Sequence, residues 1–270
     1  SSMPTGRPPA VVPAGRERPG RPATLAGLVL RMKVSKVGAR PSPSGKVSSS
    51  PMRQAGAGVV AAGGVAVCLR RASATLQERQ VPLVGLTSAF VFAAQMLNFP
   101  VAAGTSGHLL GGVLAAVLVG PYAGALAVTV VLAVQALLFA DGGLSALGLN
   151  VVNMALVGAL GGYAVFAVLT RMLPATRRSL VAAAGVAAAS APVMAALVFV
   201  VEYALGGNGA ASIGRVTTAM VGVHVLIGIG EGAITAMTVS AVLAGRPDLV
   251  HGARHLSPTH VSPVPVGAAS

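Results

Sequence analysis

The chain has 270 residues, of which 54% are hydrophobic, 9% charged and 3% aromatic, with a mean hydropathy of +0.79. A water-soluble domain carries about 25% charged residues, so this composition excludes an ordinary soluble fold and points to one embedded in a membrane. The net charge of +13 is unusual for so apolar a chain, and its placement along the sequence matters more than its size.

Residues 1–53 hold ten of the 19 Lys and Arg (Arg7 to Arg53), nine of the 18 prolines and one acid, Glu17. This Arg/Pro/Ser/Gly-rich stretch has no apolar periodicity and is expected to be a disordered basic tail. Its run Thr24 to Leu30 is at the short limit for a signal-peptide core and lacks a cleavage site. Gly45-Lys46-Val47 lacks the glycine spacing and the Ser/Thr of a phosphate-binding loop. Residues 54–245 are nearly all apolar and form the expected integral membrane unit, and 246–270, polar and proline-rich, reads as a loose C-terminal tail. Cys68 is the lone cysteine. It excludes an intramolecular disulfide and reads as a small packed hydrophobe.

A hydrocarbon core of roughly 30 Å needs about 20 helical residues. Apolar runs at 55–69, 82–97, 108–119, 121–140, 151–170, 180–205 and 218–244 predict an all-α fold, a polytopic membrane bundle of about seven transmembrane helices. Small residues in all of them let helices approach closely. The third run, His108 to Val119, would be only about 18 Å long and cannot cross alone. The uncharged, Pro- and Gly-containing stretch before it, 98–107, is expected to re-enter the bundle from outside, because irregular backbone at membrane depth needs cover by protein or a cavity. Thr105 or Ser106 would cap the half-helix that follows. One set of connections carries Arg70, Arg71, Arg79, Arg171, Arg177, Arg178, Arg246 and Arg254, and the opposite set only Arg215. The positive-inside rule puts the first set in the cytoplasm, and hence the N-terminus of helix one outside. The basic tail then lies on the wrong side.

His108, placed at the start of the half-helix, should be neutral there, as a metal ligand must be; hydrogen bonding to loop carbonyls would explain it equally. His224 and Glu231 lie seven residues apart on the last helix, too far to share a metal, and form an intramembrane polar pair whose role the sequence leaves open. Asp141, Asn150 and Asn153 surround the next outward connection, and Glu202 and Tyr203 end the sixth helix on that side. With Asn98, Thr105, Ser106 and His108, these groups converge on the outer half, as in a capture site for an external solute. His251, His255 and His260 read as members of a solvated tail.

The blocks Phe90 to Pro100, Gly104-Thr105-Ser106-Gly107-His108-Leu109-Leu110-Gly111-Gly112, Gln135 to Gly143 with Asn150 and Asn153-Met154, and His224 to Glu231 resemble the CbiM/NikM family. These are the cobalt/nickel substrate-binding components of energy-coupling factor (ECF) ABC transporters. The resemblance covers residues 56 to 244. It implies a multi-pass protein of the cell membrane that is not an enzyme. Its transported substrate would be Co(II), for cobalamin biosynthesis, or alternatively Ni(II), with no bound cofactor. Its partners would be a membrane coupling component, cytoplasmic ATPase subunits that hydrolyse ATP, and in some systems a small accessory membrane subunit, with no role for nucleic acid. His108 would be the metal ligand. Asn98, Thr105, Ser106, Asp141, Asn150 and Asn153 would stand around the outer site.

The family's other ligands, as the resemblance implies them, are a terminal amine and the backbone nitrogen and ring of a histidine at position two. The family's opening Met-His-(Ile/Val)-Pro-(Asp/Glu)-Gly-Phe should fall near 42–48. This chain reads Ser42-Pro43-Ser44-Gly45-Lys46-Val47-Ser48 there, and no histidine precedes His108. A shifted reading frame or misassigned start over the first 50 or so residues would account for this; so would a structural membrane subunit that has lost its metal site. An intramembrane hydrolase using Ser106 and His108 is disfavoured, because the two are poorly placed as nucleophile and base.

Overall fold

The computed structural model describes residues 51–96, 98–100, 106–139, 142–206, 212–254 and 256. Of the expected basic tail only the last three residues fall within this set, and they open the first helix.

Helix α1 (Pro51–Thr75) starts on a proline, tolerated in a first turn whose N–H groups lack helical partners anyway. A 3₁₀ turn (Glu78–Gln80) leads into α2 (Val81–Gln95). A two-stranded antiparallel hairpin follows, β1 (Asn98–Pro100) and β2 (Ser106–His108). Then come α3 (Gly112–Val119) and α4 (Pro121–Leu138). The next rod is continuous: α5 (Leu147–Asn150), a π-helical stretch (Val151–Gly161) and α6 (Gly162–Met172). The bundle ends with α7 (Arg177–Gly206) and α8 (Ile213–Gly245).

Each of the seven apolar runs thus contains a helix, but they are not equivalent. Among the described residues, five helices are long and apolar enough to cross a membrane: 54–75, 121–138, 144–172, 177–205 and 213–245. Helix α2, at 15 residues, reaches about 22 Å. Helix α3 has eight residues, every one of them buried. Of the about seven crossing helices expected, five reach that length among the described residues, and α2 and α3 are shorter helices packed among them. Large apolar side chains such as Leu205, Leu226, Ile229 and Met237 face outward, which suits a surface bathed in lipid tails rather than water.

Helix α3 is the centre of the bundle. Val113, Leu114 and Val117 pack with Phe166 of α6, Leu180 and Ala184 of α7 and Val239 of α8. A second cluster joins Val91 of α2, Leu110, Val128 and Val131 of α4 and Met154 of the π-helical stretch. Small residues permit these approaches. A Cβ on Gly112 would lie 2.9 Å from the backbone nitrogen of Ala159. Helices α7 and α8 share the most extensive interface; a Cβ on Gly232 would lie 2.7 Å from the Gly185 carbonyl oxygen, and one on Gly228 would strike the Ala189 carbonyl oxygen.

The basic connections gather at one end of the bundle. Arg177 donates to the Ser240 carbonyl oxygen at 3.2 Å, and Thr75, Gln80, Tyr122, His251 and Arg254 line a common pocket of about 140 Å³. The described part of the expected loose tail, 246–254 and 256, is packed. Residues Pro247–Leu249 and His251–Ala253 form 3₁₀ turns, and Val250, Ala253 and Leu256 are buried beside Val117 and Phe166. Apolar side chains at 250, 253 and 256 hold the segment down despite its polar composition. His251 is accordingly half-buried, its ring 6.2 Å from that of Tyr163; His255 and His260 lie outside the described residues.

Candidate functional site

At the opposite end, the chain turns from α2 into α3 through the hairpin, whose register pairs Asn98 with His108, Phe99 with Gly107 and Pro100 with Ser106. His108 is therefore the last residue of β2, not the first of a half-helix. Helix α3 starts at Gly112, and Gly111, not Thr105 or Ser106, is its N-cap. The reason is conformational: Gly111 adopts φ +67°, which ends the extended segment and admits the helix at a residue with no Cβ penalty. The helix dipole invoked for His108 thus begins four residues further on.

The His108 ring is half-buried, and its Nδ1 lies 3.2 Å from the Leu109 carbonyl oxygen. A carbonyl only accepts, so in this contact Nδ1 is the donor. This is the usual arrangement of a metal-binding imidazole, whose second nitrogen is held by a carbonyl or carboxylate.

The backbone after His108 is held by side chains from two helices, one of them braced by a third. Leu110 N–H donates to Glu231 Oε2 at 2.7 Å, and Gly111 N–H donates to Glu231 Oε1 at 2.9 Å. Gln95 Nε2 donates to the Leu110 carbonyl oxygen at 2.7 Å, and Gln135 Nε2 donates to Gln95 Oε1 at 3.0 Å. Glu231, Gln95 and Gln135 are 3%, 1% and 5% exposed, so each polar group has to find its partner within the protein.

His224 and Glu231 share the buried face of α8, but their hydrogen bonds go elsewhere. His224 Nδ1 donates to the Met220 carbonyl oxygen of its own helix at 2.7 Å, whereas Glu231 reaches across the bundle to residues 110 and 111 rather than to His224 or Thr235. Asn153, at the start of the π-helical stretch, donates from Nδ2 to Glu202 Oε2 at 3.0 Å. Its Oδ1 is buried with no hydrogen-bond partner among the described residues. Asn150 is placed against the next connection, its Nδ2 2.6 Å from where a Cβ on Gly142 would stand. Asp141 and Thr105 lie outside the described residues, as do the side chains of Asn98 and Ser106. Among the described residues no group of three or more His, Cys, Asp and Glu comes together to hold a metal.

Gln95 and Gln135 are site-shaping residues that sequence reasoning passed over. Their signal was available: each is an uncharged amide in an apolar helix, where a buried polar group requires a partner.

Residues 49–249 match the family model described as the cobalt uptake substrate-specific transmembrane region. A putative metal transport protein of Haloquadratum walsbyi is 41% identical over 186 residues, which cover 69% of this chain and 83% of that protein. A putative fused nickel transport protein NikMN of Archaeoglobus fulgidus is 44% identical over 174 residues, 64% of this chain and 57% of the fused protein. Relative to that fused protein, the chain spans little more than half the length. In three dimensions it is similar to a truncated transition metal transporter seen by crystallography, with a TM-score of 0.66 and 29% identity over 72% of this chain and 95% of that one.

Proposed function

Because the chain belongs to the CbiM family, whose members are membrane components of cobalt and nickel transport, we propose that it is the substrate-binding component of an ECF-type ABC transporter that captures Co(II) outside the cell for cobalamin biosynthesis. The observation that carries this reading is the family match over 49–249. The His108 segment supports it, because a half-buried histidine whose Nδ1 is held by a backbone carbonyl lies at the end of the bundle away from the basic connections. By the positive-inside rule those connections face the cytoplasm of a plasma-membrane protein, with the N-terminus of α1 and His108 outside. Asn98, opposite His108 in the hairpin register, and Thr105, Ser106, Asp141, Asn150 and Asn153 are its outer surroundings. Energy comes from cytoplasmic ATPase subunits through a membrane coupling component, with or without a small accessory membrane subunit. Ni(II) is the alternative substrate, since imidazole suits both ions.

A second reading has its own support. Where the family's Met-His opening would fall, the chain reads Ser42-Pro43-Ser44-Gly45-Lys46-Val47-Ser48. A subunit that has kept the fold without a complete metal site fits that stretch. Translating the gene in its other two frames across codons 42–55 separates them in part: a Met-His-X-Pro-like start there restores the missing ligands, and neither frame providing one favours the second reading.

The direct test is Co(II) and Ni(II) accumulation by cells expressing the chain with its coupling partners, against His108→Ala. Uptake abolished by the substitution is the expected result. Uptake unchanged by it removes His108 from the site.

A further inference from the structure

We propose that Glu231 and Gln95 are positioning residues for metal capture, acting on the His108 ring through the two peptide groups that follow it. The inference rests on His108 as a ligand, the reading given above.

The geometry is specific. The peptide joining Leu109 to Leu110 offers its N–H to Glu231 Oε2 at 2.7 Å, and its carbonyl oxygen, that of Leu109, takes the His108 Nδ1 proton at 3.2 Å. The next peptide, Leu110 to Gly111, offers its N–H to Glu231 Oε1 at 2.9 Å and its carbonyl to Gln95 Nε2 at 2.7 Å. Neither bond is cis. A planar trans peptide points its C=O and N–H in opposite directions, so each unit is gripped at both ends and cannot rotate without losing two hydrogen bonds at once.

Glu231 therefore acts on the imidazole at one remove. A carboxylate on a peptide N–H is a charge-assisted bond that polarises the peptide and strengthens its carbonyl as an acceptor. That carbonyl is the one that accepts from Nδ1 and so sets the orientation of the ring. Both carboxylate oxygens are committed to donors, so glutamine is not an equivalent: its amide oxygen accepts one N–H while its NH₂ faces the other. Gln95, steadied in turn by Gln135, fixes the second peptide and with it the Gly111 turn.

The test uses the full chain purified in detergent, with Co(II) alone as probe. Calorimetric affinity, the visible ligand-field spectrum of bound Co(II) and the thermal unfolding midpoint are measured for the wild type, His108→Ala, Glu231→Gln and Gln95→Met. Loss of an outer partner of a metal-binding histidine costs roughly 10- to 100-fold in affinity. That loss, with an altered Co(II) spectrum in protein that still unfolds cooperatively, is expected for Glu231→Gln. A purely structural role would lower the midpoint and leave the folded protein's affinity and spectrum as they are. Wild-type affinity and spectrum in Glu231→Gln, with binding lost in His108→Ala, overturns the positioning role and leaves His108 as the ligand. Binding by His108→Ala equal to wild type, or no binding by the wild type, overturns the underlying reading and this inference with it. Should Glu231→Gln fail to fold, Gln95→Met decides by the same two measurements, wild-type values overturning the proposal.

Discussion

The basic end of the bundle and the His108 end are built from different interactions. At the basic end, arginines such as Arg70, Arg71 and Arg254 stand exposed, and the chain is anchored by apolar contacts of Val250, Ala253 and Leu256 beneath short 3₁₀ turns. At the His108 end, the backbone between β2 and α3 is anchored by the buried polar chain Gln135, Gln95, Leu110, Gly111 and Glu231. Apolar anchoring is non-directional and tolerates small shifts, whereas hydrogen bonds buried from water fix angles and are costly to leave unmade. The end proposed to hold a metal is the one whose backbone is set by directional bonds, and substitutions at the two ends should differ accordingly.

The largest effect is expected at Gly111. Its φ of +67° costs a residue with a side chain about 1–2 kcal/mol. A Cβ there would also lie 2.9 and 3.1 Å from the two γ-methyl carbons of Val91. Val91 is fully buried and, being β-branched on a helix, has essentially one rotamer available, so it cannot swing aside. With an overpacking cost of about 1–3 kcal/mol added, Gly111→Ala should lose about 3 kcal/mol of stability, read as a lower thermal midpoint in detergent. Co(II) affinity should fall with it, because the peptide between Gln95 and Glu231 cannot keep its place. An unchanged midpoint would mean that this end is as tolerant as the other.

How far the sequence disclosed this arrangement differs by element. Every apolar run contains a helix because hydropathy and length are local properties, and the helix within 108–119 is only eight residues long. The beginning of α3 was misplaced because Gly104 to His108 contains the Thr and Ser of a helix cap, while the determining feature is a positive φ at Gly111 that only three-dimensional crowding reveals. Glu231 was recognisable as an intramembrane acid, but its partners lie about 120 residues away in sequence and are backbone N–H groups, which leave no trace in side-chain patterns. Gln95 and Gln135 are legible as amides in apolar helices, but their partners, a carbonyl oxygen and a side-chain oxygen on other elements, are not. The packed turn at 247–256 was obscured by its polar composition, which outweighed three well-spaced apolar residues.

A smaller effect is expected from acid at the basic end. Burial, and secondarily Arg254, lowers the His251 pKa below the ordinary imidazole value. The folded state thus favours the neutral ring. This contribution to stability is fully present above the unfolded-state pKa of about 6.5 and is lost as pH falls from there towards the lowered folded value. Limited proteolysis should cut the 246–256 turn faster at pH 5 than at pH 7.5, and His251→Gln should remove most of the difference. A cleavage rate that does not change with pH would show that the apolar contacts alone decide whether this turn stays docked.

The smallest effect is expected at Asp248, which also tests the contrast most simply. It makes a bidentate contact with Arg246, at 3.0 and 2.9 Å, and its hydrogen bond and charge raise the Arg246 pKa. By geometry alone this pair looks as good as the contacts of Glu231. Yet the two side chains are 65% and 59% exposed, so water and salt compete for both, and such surface pairs contribute little. Asp248→Asn should leave the unfolding midpoint where it is at both low and high ionic strength. A midpoint that drops, and drops more at low salt, would show that the basic end is held by charge after all. Hydrogen-bond length would then not separate the two ends, and burial would lose its place as the property that makes the Glu231 contacts matter.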